Sequence, residues 1–143
     1  MAKMKLYQSS FNNRSTVQRT RFFIIGFSRY YFVSYSGGLK ANYPAYIGRY
    51  KKTDQLANFP GECNPNLPIY EQEYAEYYLF VNCRDVWVLN PYLHHTNATA
   101  WADKSSTDKT PPTSGWKYWQ DGDIKTDSTM KVVQGKEKDR ACF

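Results

Sequence analysis

Residues 110–119, T-P-P-T-S-G-W-K-Y-W, place three aromatic residues within four positions after two prolines and a glycine. Because successive side chains of a β-strand point to opposite faces, Trp116 and Tyr118 would share one face, and Lys117 and Trp119 the other. Each ring can bury roughly 150–250 Å², so two or three rings can anchor a small core. We therefore expect Trp116 and Tyr118 in a core with Trp119 covering the other side, or one ring exposed as a stacking platform for a sugar or a partner.

The composition on either side of this stretch favours β-structure. Aromatic residues make up 17% of the chain, and such side chains, like β-branched ones, pack well on a pleated, half-buried surface. We therefore predict an all-β fold, a small antiparallel sheet, sandwich or barrel-like domain with an extended basic N-terminal arm. The predicted strands are 20–25, 29–35, 46–51, 67–70, 77–81, 86–89, 98–102, 116–119 and 128–133.

The charge of the chain is distributed unevenly. Residues 1–53 carry ten Lys or Arg and no acid, whereas the remaining residues carry nine Lys or Arg and thirteen acids. We therefore divide the chain into a basic aromatic arm (1–35), a β-rich module (36–134) and a charged tail (135–143). A basic arm predicts an anionic partner, such as an acidic protein surface, a lipid surface or another copy's acidic body, although a solvated terminus fits the same pattern.

Candidate partner-binding side chains in the arm combine positive charge with aromatic area. Similar mixtures occur in proteins that bind single-stranded nucleic acid, but the RNP1 motif of RNA-recognition domains is not matched, so nucleic acid is not the partner we expect. The candidates are Arg14, Arg19, Arg21, Phe22, Phe23, Arg29, Tyr30 and Tyr31.

The chain has three cysteines, Cys63, Cys83 and Cys142. Their spacing is not that of a zinc site, which uses pairs two to four residues apart. Cys63 and Cys83 could join neighbouring strands in an oxidising compartment, which would leave Cys142 free or paired between chains; three free thiols in a reducing compartment fit equally well. Sequons begin at Asn13 and Asn97, and they carry meaning only in a secreted protein.

Neither membrane insertion nor catalysis is indicated. No apolar run reaches the ~18 residues of a transmembrane helix, no convincing signal peptide is visible, and the compartment stays open. Glu71 and Glu73 are expected on a solvent-facing strand and loop, and His94 and His95 in a loop without catalytic duty. We expect no metal, no cofactor and no enzymatic activity.

Several aromatic-centred segments follow one another in a set order over residues 36–134. They are G-R-Y at 48–50, Asn58 followed by P-I-Y at 68–70, Y-Y-L-F at 77–80, W-V at 87–88, Trp101, Pro111 with W-K-Y-W at 116–119, and D-S-T-M at 127–130. This order resembles a small aromatic-rich β repeat module of large, often secreted proteins of marine invertebrates and unicellular algae. The resemblance implies a β-rich adhesion, matrix or scaffold module and brings no catalytic residues with it. An insertion carrying Cys63 and a Leu89 in place of glycine depart from the pattern.

Two functions from different classes follow. The first is a non-enzymatic structural or interaction subunit that docks into a larger protein assembly through its basic arm. The alternative is a secreted, lectin-like module that binds carbohydrate on exposed aromatic rings, which exposed tryptophans would favour and buried ones would exclude. The candidate platform residues are Trp87, Trp101, Trp116 and Trp119.

Overall fold

The computed structural model describes residues 27–103 and 109–135. These residues form an all-β fold, a nine-stranded antiparallel sheet that curls into a half-barrel. A short helix α1 (Gly38–Asn42) and a 3₁₀ turn (Pro44–Tyr46) lie between the first two strands. The strands are β1 (Tyr30–Ser34), β2 (Gly48–Leu56), β3 (Pro68–Gln72), β4 (Tyr78–Val81), β5 (Val86–Asn90), β6 (Ala100–Asp103), β7 (Lys117–Gln120), β8 (Asp123–Thr126) and β9 (Lys131–Gly135).

The segment before β7 also contacts β9, the strand at the opposite edge of the sheet from β8. Strands β1 to β8 each pair with the next, and β9 crosses to the far edge to pair with β1. The Val132 N–H donates to the Thr113 carbonyl at 3.0 Å, and the Asp127 N–H donates to the Trp116 carbonyl at 3.0 Å. The proline-containing lead-in to β7 therefore lies next to β9, although the two strands are far apart in the strand order. The sheet is curled so that these two parts meet.

The main core lies on the inner face of the curled sheet, and a smaller buried cluster that includes Phe80 and Val88 lies on the outer face. Trp87 and Trp116 are both completely buried in the main core, and the Trp116 indole N–H donates to the Pro112 carbonyl at 2.9 Å. The alternation expected for this stretch is present, because Tyr118 is buried and Trp119, on the opposite face, is half exposed. Large aromatic side chains thus supply much of the buried apolar area.

Helix α1 is held under the connection between β8 and β9 by a set of hydrogen bonds. The Asp127 carboxylate accepts from the Leu39 N–H at 3.0 Å and the Thr129 N–H at 2.8 Å, and from the Thr129 hydroxyl. The Thr129 hydroxyl oxygen in turn accepts from the N–H groups of Ser36 and Gly37, both at 2.9 Å. Leu39 is thereby fixed in the core, where it is 1% exposed.

An ion pair locks β2 to the end of β3. The Arg49 guanidinium donates to both carboxylate oxygens of Glu73 at 2.6–2.8 Å, and it lies 4.7 Å from the centre of the Tyr30 ring. Both side chains of the pair are largely shielded from water, at 8% and 15% exposure. The planar, two-pronged geometry is one that arginine forms and lysine cannot.

The structure corrects the predicted boundary between arm and module. β1 pairs with β2 on one side and β9 on the other, and Tyr30 and Tyr31 are 1% and 4% exposed. The boundary drawn after residue 35 therefore falls beyond a strand of the sheet, because the aromatic run packs on both faces. The strand predicted at 20–25 lies outside the described residues.

Three further differences concern strand extent. β8 coincides with none of the predicted strands, and β2 continues to Leu56, beyond the predicted end at residue 51. β9 reaches Gly135, the first residue of the predicted tail. Over residues 27–103 and 109–135, no helix is long and apolar enough to cross a bilayer.

Candidate functional site

Two tryptophans meet on the outer face of the sheet. β6 pairs with β7 so that Trp101 lies opposite Lys117, which places Trp119, two residues further, diagonally across from Trp101. The ring centres are 5.9 Å apart with their planes tilted by 43°. Trp119 is 49% exposed, and Ile124, its cross-strand partner on β8, is 54% exposed. Trp101, Trp119 and Ile124 form an apolar surface that we call the Trp shelf.

A groove runs between the Trp shelf and the rim loop, which we define as residues 91–99. Its cavity volume is about 700 Å³, within the roughly 300–1,000 Å³ typical of small-ligand sites. Polar side chains surround the apolar shelf, and they include amides, hydroxyls, a guanidinium and a carboxylate. These polar lining residues are Asn82, Arg84, Asn90, Tyr92, Thr96, Asn97, Thr99 and Asp103.

One buried polar atom in the groove has an unmet hydrogen-bonding capacity. Asn82 is 1% exposed, and its side-chain oxygen accepts from the Arg84 N–H at 3.0 Å. Its Nδ2 group has no hydrogen-bond partner among the described residues. A buried amide donor without a partner is costly, and among the described residues of the groove lining Asn82 carries such a donor.

The rim loop is held in shape by its own side chains. The Asn90 amide donates to the Tyr92 carbonyl at 2.8 Å. The Nδ1 atom of His94 accepts from the Thr96 N–H at 3.1 Å and the Asn97 N–H at 3.2 Å. His94 therefore stabilises the loop backbone, and over 27–103 and 109–135 no three His, Cys, Asp or Glu side chains come together to hold a metal ion.

A disulfide supports the rim loop from the other side. Cys63 and Cys83 are bonded, with Cα atoms 5.6 Å apart. The Cys83 N–H donates to the carbonyl of His95 in the rim loop at 2.6 Å, and Cys63 forms an isolated bridge with Phe59. The bond thus ties the loop before β3 to the β4–β5 turn and, through that turn, to the rim loop. Cys142 lies outside the described residues.

The four tryptophans divide into two pairs. Trp87 and Trp116 are 0% exposed, which leaves them no surface to offer a ligand. They were expected as platform candidates, and they are instead core residues because they sit on the inner face of β5 and just before β7. Trp101 and Trp119 both line the groove; Trp119 is half exposed, whereas Trp101 is partly buried against a second buried cluster that includes Phe80 and Val88.

The structure separates the candidate residues of the arm. Arg29 is exposed, whereas Tyr30 and Tyr31 are buried in β1 and cannot contact a partner without unfolding the strand. The remaining candidates lie outside the described residues, so a docking role for them stays a prediction; they are Arg14, Arg19, Arg21, Phe22 and Phe23.

The perturbed tyrosines belong to the core and not to the groove. Burial raises the pKa of Tyr35, Tyr50 and Tyr70 well above the ordinary value. Their hydroxyls therefore stay protonated and serve as donors: Tyr50 donates to the Tyr46 carbonyl at 2.8 Å, and Tyr70 to the Ser28 carbonyl at 3.0 Å. These groups stabilise the fold and have no chemistry to perform in the groove.

Most of the polar groove residues were missed in the sequence. Asn82, Arg84 and Ile124 lie in none of the strands predicted from the sequence, and none of them was a candidate site residue. No local signal joins them, because a turn, a loop and an edge strand contribute one or two residues each. Asn97 is an exception among the groove residues, because the sequon that it begins is visible in the sequence.

No protein-family model, curated protein or solved structure matches this chain. The resemblance to the aromatic-rich repeat module therefore stays a prediction. The function has to be argued from the groove itself.

Proposed function

We propose that this chain is a non-enzymatic interaction module that binds an oligosaccharide in the groove beside the Trp shelf. The observation that supports this proposal is the pairing of Trp101 with a half-exposed Trp119 on the outer face, inside a groove of about 700 Å³. A large aromatic ring that is half exposed in a concave site contributes little buried area to the fold, and such exposed apolar surface is typical of ligand-binding sites.

The chemistry of the lining fits a sugar. A pyranose ring presents a face of C–H groups and a rim of hydroxyls, so it can stack on an indole while its hydroxyls reach polar side chains. Trp101 and Trp119 supply the stacking surface. The exposed Arg84 guanidinium supplies donors and the exposed Asp103 carboxylate supplies an acceptor.

The balance of charge favours a neutral ligand over a nucleic acid. Among the described residues that line the groove, Arg84 and Asp103 are the charged ones, and they carry opposite signs. Asp103 also contacts Lys117 at 3.4 Å. A site for single-stranded nucleic acid combines aromatic rings with an excess of positive charge along the backbone path, and this lining offers no such excess.

The disulfide supports an extracellular setting for this function. Cys63–Cys83 is a bond that persists in oxidising compartments and is rare in reducing ones. It also braces the rim loop, which forms one wall of the groove. A binding site prepared in this way loses little conformational entropy when the ligand enters.

The test is a glycan array probed with the oxidised chain, followed by calorimetry on the best ligand. Trp119→Ala is expected to weaken binding at least tenfold, which corresponds to about 1.4 kcal/mol. Tyr74→Ala is the matched control, because Tyr74 is an exposed aromatic residue, 91% accessible, that is not part of the groove lining. Both variants should keep the wild-type urea midpoint.

Two results would contradict the proposal. The first is an array on which the folded, oxidised chain retains no glycan. The second is a Trp119→Ala variant that binds the selected glycan as tightly as Tyr74→Ala does, because the ring would then contribute nothing to recognition.

A further inference from the structure

The rim of the groove carries an acceptor motif for N-linked sugar. Asn97 begins the sequence N-A-T, and its side chain is exposed at the edge of the groove. Among the described residues, its Nδ2 atom contacts the Tyr92 hydroxyl at a long 3.4 Å. Attaching a sugar there would disturb no strong interaction. The other sequon, at Asn13, lies outside the described residues.

The disulfide indicates that the chain passes through the compartment in which such a motif is glycosylated. Sequons are modified in the secretory pathway, which is also where disulfides form. Cys63–Cys83 is bonded, and the N–H of Cys83 donates to the carbonyl of His95, two residues before the motif. The motif thus lies in a surface loop that is held by a disulfide, and disulfides form in oxidising compartments. A surface loop of a secreted protein is where a glycosylated sequon is expected.

We propose that Asn97 is an N-glycosylation site whose glycan stands at the mouth of the groove and restricts access to the Trp shelf. Glycosylation of Asn97 is independent of the proposed function. The role of the glycan in controlling ligand entry rests on the proposed function. Because the glycan is tethered to a residue of the groove lining, its effective concentration at the groove is in the millimolar range. Even a weak interaction between the glycan and the groove would therefore be populated.

The attachment needs a co-reactant, a lipid-pyrophosphate-linked oligosaccharide presented by a membrane oligosaccharyltransferase. The Asn97 Nδ2 atom forms a bond to the anomeric carbon of the first sugar, and the bond from that carbon to the pyrophosphate oxygen breaks. The lipid pyrophosphate leaves with the bonding electron pair. One proton of the amide passes to a base of the transferase.

The first experiment detects the modification itself. The full chain is secreted from cultured animal cells behind a cleavable leader and digested with peptide N-glycosidase in H₂¹⁸O, so that a glycosylated Asn97 becomes labelled Asp. We expect the label at Asn97 in the wild type and in Thr99→Ser, which keeps the sequon, and its loss in Asn97→Gln. An unmodified Asn97 peptide from folded, secreted wild type would overturn the proposal, and that reading does not depend on Asn97→Gln being secreted.

The second experiment measures shielding of the Trp shelf with acrylamide, a small fluorescence quencher that needs no sugar ligand. Because Trp87 and Trp116 are buried, the accessible emission comes from Trp101 and Trp119. We expect the quenching constant of the glycosylated chain to be at least a third lower than that of the Asn97→Gln chain, with the difference much reduced in a Trp119→Phe background.

The outcomes separate the two proposals. Equal quenching with and without the glycan would overturn the control of access, even if Asn97 is modified. If the glycosylated chain has a shielded shelf and the unshielded Asn97→Gln chain, folded and oxidised, still binds no glycan in the array, the modification site stands and the oligosaccharide function is contradicted.

Discussion

Replacement of Asp127 by alanine tests whether the hydrogen bonds that hold α1 stabilise the whole half-barrel. The carboxylate is in a nearly buried residue, 4% exposed, and it accepts from the backbone N–H groups of Leu39 and Thr129. It lies in the connection that carries the chain from β8 at one edge of the sheet to β9 at the other. Asp127→Ala removes the acceptor and leaves the Leu39 N–H without a partner.

The expected cost can be estimated from these contacts. A hydrogen bond to a charged group contributes about 1.5–3 kcal/mol, and a buried N–H left unpaired costs about 1–3 kcal/mol. These contributions overlap, so we expect Asp127→Ala to lower the free energy of unfolding by about 2–4 kcal/mol. Asp127→Asn keeps an oxygen acceptor but loses the charge, and its loss should be about half as large.

Urea unfolding of the oxidised chain, followed by tryptophan fluorescence at pH 7, measures this difference. Asp123→Ala is the matched control, because Asp123 is an exposed carboxylate on the neighbouring strand β8. Its free energy of unfolding should stay within about 0.5 kcal/mol of the wild type. If Asp127→Ala were no less stable than Asp123→Ala, α1 would not depend on this carboxylate and the argument would be refuted.

The dependence on pH gives the same prediction a second test. Burial by itself would raise the pKa of Asp127, but hydrogen bonds from Thr129 and Leu39 outweigh it, and the net pKa is lowered. A lowered pKa in the folded state means that the stabilisation is fully present above the unfolded value of about 3.9 and is lost as the pH falls through the folded value. The difference between wild type and Asp127→Asn should therefore shrink below about pH 4.

Three further changes address other contacts. Arg49→Lys gives up a two-pronged ion pair and should cost about 1–2 kcal/mol in urea unfolding; an unchanged midpoint would contradict a stabilising role. The Cys63→Ser, Cys83→Ser double variant opens a cross-link of sequence separation 20 and should lose about 3 kcal/mol, and a loss under 1 kcal/mol would refute the estimate. Gly38→Ala brings a Cβ to 2.1 Å from the Tyr118 hydroxyl oxygen, so it should destabilise by about 1–3 kcal/mol. Adding Tyr118→Phe should recover part of that loss, whereas no recovery would locate the strain elsewhere.

The part of the fold that follows from local alternation could be predicted from the sequence. The rule of opposite faces placed Trp116 and Tyr118 in the core and Trp119 outside, because it depends only on neighbouring residues. The all-β class followed from the aromatic and β-branched runs. β8 gave no such signal, since all four of its residues are exposed and an edge strand without a buried side has no pattern of burial.

The candidate site was less predictable because it depends on pairing between distant strands. Trp101 and Trp119 meet through the register of β6 with β7, and thirteen residues separate these strands in the sequence. The charge pattern also misled the assignment of Tyr30 and Tyr31 to an arm, because their strand pairs with β9, about a hundred residues later. Local composition carries no information about such a partner.

The pairing of β1 with β9 also decides how the module would respond to tension. Tyr30 lies directly opposite Gly135, so the first residue of β1 and the last residue of β9 are neighbours, and the two flanks are attached to the sheet at the same point. A force that pulls those two flanks apart would load the β1–β9 hydrogen bonds one after another, as in a zipper, and not all together in shear. Single-molecule stretching across residues 30 and 135 should therefore separate β9 first and at low force; a high-force, all-at-once rupture would contradict it. In a longer protein under tension, such a module would unfold at low force and lengthen the chain.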